Sequence, residues 1–489
     1  MKTKIKSLSL LENFCYLAAG VAEPLGGSLQ SCSTWVQLPS PAPNLLLWSD
    51  NHKSLIDVRK RTVCEEKIMG QHKGRSAITM LETILLILLI LVAAIAGYFA
   101  YVAYFQPAPT ELTVFSLWSG TEEANFKEVL ERFTNNTGIT VRHIAYSTQE
   151  LLITVPTQLR AGVAIADVVI APWPSWILSL AGDDHLTSVN DLMDATKFPT
   201  TYVDTVKTGN DVWAIPFKVS GKPGFWYRVS TWQSRGWTVP TTYNGFKSLL
   251  ATIKTAGVTP IASGDGVGWP LSDTTEAWII GQGGNQLQED LIFGTKKFNS
   301  TEVRNIFVEL QSLLQAGYFS VPDDFGLQVE RVWDGTYAMY FQGSFITAFE
   351  PFSTGDNIND VAFFPMPETD GATGAVDYAI MPALSRNEAQ ARQLMQFLAS
   401  AEAQQIMVGL GGFLAPNNDV PDSAYSPIDL SVLEFMRTVN VVPDLDDAIG
   451  PPFQTTFWDQ LKGFWVNPTG TNINDMTQSF QDDWAAPPF

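Results

Sequence analysis

The stretch LTVFSLW at residues 112–118, followed at residues 167–171 by DVVIA, decides the fold class. Both stretches are short and rich in β-branched and aromatic residues, which is typical of strands. Between them, apolar residues 126–133 recur at the i, i+3, i+4 and i+7 spacing of an amphipathic helix. Residues 139–141 predict another strand and residues 150–161 another helix. Strands that alternate with helices in this way predict an α/β domain with a mostly parallel sheet.

The same alternation continues towards the C-terminus. Residues 244–256 and 300–316 predict helices, residues 336–341 a strand, and residues 385–408 one long helix. Because no second linker interrupts the pattern, we expect two interleaved lobes rather than two successive domains.

A run of 22 uncharged, mostly apolar residues at positions 84–105 precedes this domain. As a helix the run would be about 33 Å long, enough for a hydrocarbon core of about 30 Å, and it predicts a transmembrane anchor within residues 80–105. Basic residues cluster before the run and next occur only at Lys127, so the positive-inside rule places the main domain outside the cell. A buried core helix is the alternative. Residues 106–111 predict a short Pro-containing spacer.

Residues 1–75 show no helical or strand period. They predict either a cytoplasmic segment or an upstream stretch that precedes a true start at Met69. All three cysteines of the chain lie here, so disulfides are not expected in the outer domain. The Lys73-Gly74 pair before the apolar run resembles an archaeal pilin-like signal, which is cleaved after such a pair. An uncleaved anchor is the alternative, and both stay open.

The chain after residue 75 is acidic and rich in aromatic residues. The first 75 residues hold 10 of the 30 Lys and Arg and 6 of the 50 Asp and Glu, which leaves a formal charge of −24 for the rest. This charge disfavours binding to nucleic acid or anionic lipid. Only 16% of all residues are charged whereas 12% are aromatic, a composition that favours neutral polar ligands such as sugars.

Motifs for nucleophilic or zinc-dependent catalysis are missing from the outer part of the sequence, and we expect no catalytic residue, cofactor or metal ion. Carboxylate pairs at 183–184, 323–324 and 446–447 lie in polar, turn-like stretches, and we interpret them as solvated. A glycoside hydrolase stays open as an alternative, because its two carboxylates can lie far apart in sequence.

Tryptophans at strand ends and in loops indicate a sugar site. The C–H face of a sugar ring stacks on aromatic rings, while carboxylates and amides pair with its hydroxyl groups. Trp118 and Glu122 lie where the first strand meets a helix, the position at which open α/β sheets bind ligands. Trp269, Glu276 and Trp278 again combine rings with a carboxylate. For any single Trp, packing in the core is the alternative.

Six segments follow one another in an informative order: FSLWSGTE (115–122), VWAIPF (212–217), GFWYR (224–228), RGWTVPTTYNGF (235–246), DGTYAMYFQGSF (334–345) and GGFLAP (411–416). Taken together, they resemble the family 1 extracellular sugar-binding proteins of ABC importers, in an archaeal-like form with a membrane anchor. Two of them depart from the family pattern, with Tyr243 and Phe345 at positions where Trp is usual.

This resemblance implies an α/β, two-lobed, periplasmic-binding-protein-like (type II) fold with an interlobe cleft, preceded by one N-terminal transmembrane helix. Lobe 1 would comprise residues 112–219 and about 341–385. Lobe 2 would comprise residues 220–340 and about 386–489.

The resemblance also implies roles for individual residues in the cleft. Trp118 would stack on a sugar ring and Glu122 would accept hydroxyl hydrogen bonds, with Trp269, Glu276 and Trp278 as the wall from lobe 2. The remaining expected ligand-binding residues are Trp173, Lys222, Trp226, Ser344, Phe345 and Asp377. Ser344 stands where many glucose-type binders have Asp, which disfavours a monosaccharide pattern.

We therefore expect a receptor subunit, not an enzyme, that binds a sugar or oligosaccharide outside the cell and delivers it to an ABC permease. It would be a monomer, held at the cell membrane by a single pass through residues 84–105, without nucleic acid as a partner. Asn135 and Asn299 open possible N-glycosylation sequons. The alternatives are an anchored extracellular glycoside hydrolase and a surface-layer or pilus-associated adhesion protein.

Overall fold

The computed structural model describes residues 80–105, 111–264 and 267–487. The predictions made for residues 1–75, and for the spacer up to residue 110, lie outside this range.

The apolar run forms helix α1, Met80–Phe105, so its predicted helical state is confirmed. Ile84, Leu88 and Val92 are each about half exposed or more, as are the apolar side chains between them. The prediction that α1 spans a membrane is not confirmed. Within the described part of the chain, none of the helices has the length and apolar character needed to cross a bilayer.

In its described residues, the domain that begins at residue 111 contains three sheets. The described strands are β1 (Glu111–Ser116), β2 (Thr140–Ala145), β3 (Val168–Ala171), β4 (Lys207–Thr208), β5 (Asp211–Val212), β6 (Ile215–Lys222), β7 (Gly224–Arg228), β8 (Thr259–Ala262), β9 (Tyr337–Gln342), β10 (Val361–Phe364), β11 (Gly371–Ile380) and β12 (Asn440–Pro443).

The largest sheet has the order β12-β11-β3-β1-β2, and β6 pairs with β11 along its other edge. Strands β1, β2 and β3 are parallel, as predicted, whereas β11 runs antiparallel to β3 and β6. A second sheet has the order β10-β7-β9-β8, and β4 and β5 form a small ribbon.

Helices cover both larger sheets. They are α2 (Gly120–Thr137), α3 (Thr148–Arg160), α4 (Pro174–Gly182), α5 (Thr200–Asp204), α6 (Val229–Arg235), α7 (Tyr243–Thr255), α8 (Trp269–Gly283), α9 (Asn285–Ile292), α10 (Thr301–Gln315), α11 (Phe325–Trp333), α12 (Glu388–Ala399), α13 (Ala401–Leu410), α14 (Pro427–Met436), α15 (Leu445–Ile449), α16 (Phe453–Val466) and α17 (Ile473–Asp483). Short 3₁₀ helices occur at Ala195–Lys197, Ser344–Ala348, Gly355–Asp360 and Asp422–Ala424.

The single helix predicted over residues 385–408 is wrong, because the structure has two helices there. Ser400 adopts an extended backbone between α12 and α13, and its side chain accepts a hydrogen bond from the backbone N–H of Ala403. This N-cap satisfies an orphan donor of α13 and competes with continuation of α12.

Buried side chains form two hydrophobic cores, each centred on one of the larger sheets. The first core, which we assign to lobe 1, includes Leu112 and Val168 with side chains of α2 to α4. The second core, which we assign to lobe 2, includes Phe246, Ile306 and Phe457. The chain passes between the sheets from β6 to β7 and again from β10 to β11. The predicted two-lobed α/β architecture is therefore present.

The exact lobe limits stay a prediction, with one difference from the sequence-based assignment. Helices α12, α13 and α14 contribute Leu394, Met407 and Val432 to the first core. The sequence had grouped these helices with lobe 2, because a helical period does not indicate which sheet a helix covers.

Candidate functional site

A cleft of about 980 Å³, including space open to solvent, lies where the two cores face each other. One wall is formed by the ends of β1 and β3, the other by α8, α15 and α16, and β6 with β11 forms the floor. Ligand sites commonly occupy clefts of about 300–1,000 Å³ between domains. The principal residues of the cleft are Trp118, Glu122, Trp173, Lys218, Ser220, Lys222, Trp269, Asp273, Phe345, Asp377, Asp444, Asp446, Asp447 and Trp458.

The floor of the cleft follows from the two-residue period of a strand. Lys218, Ser220 and Lys222 alternate along β6, so their side chains point to the same face. Strand β11 pairs antiparallel with β6 and places Asp377 opposite Lys218. The floor thus carries two buried ammonium groups with carboxylates close by.

Lys218 joins the first wall to the floor. Its Nζ lies 2.6 Å from Oε1 of Glu122 and 3.4 Å from Oδ2 of Asp377, and it stands over the ring of Phe413 at 4.4 Å. Burial alone would lower the pKa of Lys218, but the carboxylates of Glu122 and Asp377 raise it above the ordinary value. Burial also raises the pKa of Asp377. This network fixes Glu122 at the rim of the cleft.

Lys222 joins the floor to the second wall. Its ammonium group donates to Oδ1 of Asp273 on α8 and to Oδ2 of Asp444. Trp269 and Asp273 are four residues apart on α8 and therefore lie on one face of the helix. Burial opposes the charge of Lys222, yet the surrounding carboxylates raise its pKa well above the ordinary value.

Glu276 supports this wall from behind. It is fully buried, and its Oε2 accepts hydrogen bonds from Gln288 at 2.7 Å and from the backbone N–H of Leu445 at 3.0 Å. Burial and the nearby Asp444 raise the pKa of Glu276 well above its usual value. Glu276 thereby positions the segment that carries Asp444 and Asp446.

The interpretation of residues 446–447 as a solvated pair is wrong. Asp446 is 2% exposed and accepts hydrogen bonds from Trp458 Nε1 at 2.8 Å, from Gln454 and from Ser272. Burial and the negative charge of Asp444 raise its pKa to about 8. The turn-like composition did not reveal that residues 445–449 form helix α15, which α8 and α16 cover.

Seven of the predicted ligand-binding residues line the cleft: Trp118, Glu122, Trp173, Lys222, Trp269, Phe345 and Asp377. Trp118 is only 4% exposed, and its ring packs edge-on against Phe126 at 4.9 Å. Trp269 is half-buried and presents more of its ring to the cleft. The structure thus brings these seven residues to one cleft, although the resemblance did not separate exposed rings from packed ones.

Four predicted residues do not line the cleft. Trp226 and Trp278 are fully buried, and their Nε1 groups donate to the carbonyl of Gln342 and to the hydroxyl of Tyr243, respectively. Both rings lie in the hydrophobic cores, so the core-packing alternative applies to them. Glu276 lies behind the wall, and Ser344 is buried with its hydroxyl 3.4 Å from the carbonyl of Gly412.

The asparagines of the two sequons differ in their exposure to solvent. Asn135 is exposed in the last turn of α2. Asn299 is half-buried, and its Nδ2 donates to Oε1 of Gln478 at 2.7 Å. Glycosylation of either residue stays a prediction.

Sequence reasoning missed Lys218, Asp273, Asp444 and Trp458. Two signals were available: the alternating Lys-x-Ser-x-Lys of β6, and the spacing of four between Trp269 and Asp273. Asp444 directly follows β12, but its proximity to Asp273 arises only from the fold.

The carboxylates of the second wall also have the spacing of a cation site. In the described residues, oxygens of Asp273, Glu276 and Asp444 lie within 4.8 Å of one another, as do those of Asp444, Asp446 and Asp447. The ammonium group of Lys222 already contacts Asp273 and Asp444. A hydrogen-bond donor or a cation is therefore the natural complement of this wall, whereas an anion is not.

Residues 118–405 match the model of the family described as bacterial extracellular solute-binding protein. The chain belongs to this family. It is 37% identical over 362 residues, or 73% of its length, to an uncharacterized ABC transporter extracellular-binding protein of Pyrococcus horikoshii, of which 84% is covered. It is 26% identical over 342 residues to an alpha-glucosides-binding periplasmic protein of Rhizobium meliloti, covering 64% of this chain and 74% of that protein.

A solved structure confirms the fold of this extracellular solute-binding protein. A bacterial solute receptor with an exclusive preference for β-D-galactopyranose superposes with a TM-score of 0.68 at 19% identity, over 77% of this chain and 98% of that one. The family consists of receptors, so the chain is a solute-binding protein of an ABC transporter and not an enzyme. This identification replaces the glycoside hydrolase and adhesion alternatives.

Proposed function

We propose that this receptor binds a carbohydrate in the cleft between its lobes and delivers it to an ABC permease. The observation that carries the proposal is the convergence of aromatic rings and hydrogen-bonding carboxylates on one cavity. Trp269 supplies a ring from α8 and Phe345 supplies one from the 3₁₀ helix at Ser344–Ala348, with ring centroids 5.7 Å apart. Glu122 supplies an acceptor from the first wall and Asp377 supplies one from the floor.

The chemistry of a sugar fits these groups. The C–H face of a pyranose can cover the half-exposed ring of Trp269, while its hydroxyls donate to carboxylate oxygens. Lys218 and Ser220 offer donors to hydroxyl oxygens from the floor. The relative that binds alpha-glucosides and the solved receptor that prefers β-D-galactopyranose point to the same ligand class.

Closure of the lobes on the ligand is the proposed signal to the permease. Contacts between the lobes already exist at the edge of the cleft, where the hydroxyl of Ser175 on α4 donates to the carbonyl of Ala448 on α15. A ligand that contacts both walls binds the closed form more tightly than the open form. Its binding therefore shifts the population towards the closed form. The permease would read that form, and the receptor would act as a monomer.

We further propose that residues 84–105 attach the receptor to the cell membrane. The uncharged composition of this run and the exposed apolar side chains of α1 support the proposal. The full chain should sediment with membranes and resist extraction by high salt, whereas a chain lacking residues 1–105 should stay in the supernatant. Equal distribution of the two chains would refute the anchor.

The carbohydrate proposal is tested by thermal unfolding of the full chain with a panel of neutral mono- and oligosaccharides, amino acids and short peptides. A ligand at about 100 times its Kd stabilises the folded state by about 2.7 kcal/mol. We expect one class of sugars to raise the melting temperature saturably. A response to amino acids or peptides alone would contradict the proposal.

A further inference from the structure

The second wall of the cleft holds more carboxyl groups than basic groups. Asp273, Asp444 and Asp446 are each at most 5% exposed, and Asp447 stands beside them at the cavity. Among the described residues that line this wall, Lys222 is the one basic residue that pairs with these carboxyl groups. Buried charge of one sign is costly unless it is paired.

Two oxygen atoms in this wall accept no hydrogen bond from any residue that the structure describes: Oδ2 of Asp273 and Oδ1 of Asp444. The other oxygen of each carboxylate accepts a hydrogen bond from the ammonium group of Lys222. Both side chains are nine-tenths buried or more and belong to the lining of the cleft. A buried acceptor without a donor is unfavourable, so a ligand donor that reached either oxygen would be stabilised there.

The number of donors and the charge that a ligand group adds decide which group fits best. A neutral hydroxyl has a single O–H donor and would satisfy only one of the two oxygens. A divalent ion would add two positive charges directly beside the ammonium group of Lys222. A protonated amine has three N–H donors, enough for both oxygens, and adds a single charge, and the rings of Trp269 and Trp458 in the same lining suit a cation as well.

We propose that this wall binds the protonated amino group of a basic carbohydrate, with Oδ2 of Asp273 and Oδ1 of Asp444 as its acceptors. This inference rests on the proposed function and narrows its ligand class from sugars in general to amino sugars. Anionic sugars, such as sugar acids and sugar phosphates, are excluded by the same wall.

Matched pairs of probes that differ by an amino group in place of a hydroxyl test the inference on the full chain. Suitable pairs are glucosamine and glucose, galactosamine and galactose, the glucosamine β-1,4-dimer and cellobiose, and 6-amino-6-deoxytrehalose and trehalose. Titration calorimetry at pH 7 gives Kd for each member. We expect the amino member of at least one pair to bind about tenfold tighter or more, which corresponds to about 1.4 kcal/mol.

The outcomes separate this inference from the proposed function. Neutral members that bind as tightly as their amino partners, or more tightly, in every pair would overturn the amine site and leave the carbohydrate receptor standing. Absence of binding by every member of every pair would contradict both.

Variants of the wall locate the site. Asp273→Asn keeps the shape and one acceptor for Lys222 but replaces the free oxygen by an N–H donor, so the preference for the amino member should fall about tenfold. Asp444→Asn provides the same test if the first variant does not fold. Asp482→Asn removes one exposed carboxylate of α17 and should leave the preference unchanged. An unchanged preference in both wall variants, or an equal loss in the control, would refute the assignment.

Discussion

Replacement of Trp269 by Ala should weaken ligand binding strongly while leaving most of the stability of the fold. The ring of Trp269 lies in the cleft, half-buried, with the centroids of Phe325 and Phe345 at 5.9 and 5.7 Å. An aromatic side chain can bury about 200 Å², so a sugar that covers one face removes about 100 Å² from water. At about 25 cal/mol per Å² this contributes about 2.5 kcal/mol, or a 50- to 100-fold change in Kd.

Trp118→Ala is the matched comparison, because Trp118 lines the same cleft but is 4% exposed. Its ring packs against Phe126 and Phe217, with centroids 4.9 and 5.9 Å away. Truncation of a buried Trp leaves a cavity and costs about 3–5 kcal/mol of the free energy of unfolding. We expect the Trp269 variant to lose less than half of that amount.

Titration calorimetry supplies Kd and urea denaturation supplies the free energy of unfolding for both variants and the parent chain. The reasoning is refuted if Trp269→Ala binds the ligand as tightly as the parent. It is equally refuted if the two variants lose the same stability, since the structure distinguishes the two rings by their burial.

Three further substitutions test the charged groups and the backbone of the cleft. Lys218→Met removes the buried ammonium group shared by two partly buried carboxylates and should cost about 3–5 kcal/mol of the free energy of unfolding in urea. A loss below about 1 kcal/mol would contradict this network. Burial raises the pKa of Asp446 to about 8, so its folded carboxyl gains a proton between pH 9 and pH 7 while the unfolded one stays ionised. Without ligand, the free energy of unfolding should therefore be about 1 kcal/mol larger at pH 7 than at pH 9. If Asp446→Asn shows the same difference between the two pH values, Asp446 is not its cause. Gly268→Ala should destabilise lobe 2, because Gly268 has φ +118° and an added Cβ would lie 2.4 Å from Cβ of Trp458; a melting temperature equal to that of the parent would show that this contact can relax.

The sequence predicted the framework of lobe 1 well, because its signals are local. Buried parallel strands read as short apolar runs, and amphipathic helices repeat apolar residues every three or four positions. Elements β1, α2, β2, α3 and β3 all appear where the alternation predicted them. Trp118 and Glu122 were found for a related reason, since parallel strands end at one edge of the sheet.

The second wall of the cleft could not be predicted in the same way. Asp273 and Asp444 meet at Lys222 although 171 residues separate them in the chain, and no local pattern encodes such a contact. Trp226 and Trp278 were assigned to the cleft because the composition of a strand or helix does not indicate whether a given face meets a core or a cavity.

Direct calorimetric titration of the full chain with the neutral and amino sugars named above tests the central claim most directly. The account predicts saturable binding of one sugar per chain, lost by about 50-fold or more in Trp269→Ala. Failure of every sugar to bind, together with saturable binding of an amino acid or a peptide, would contradict it.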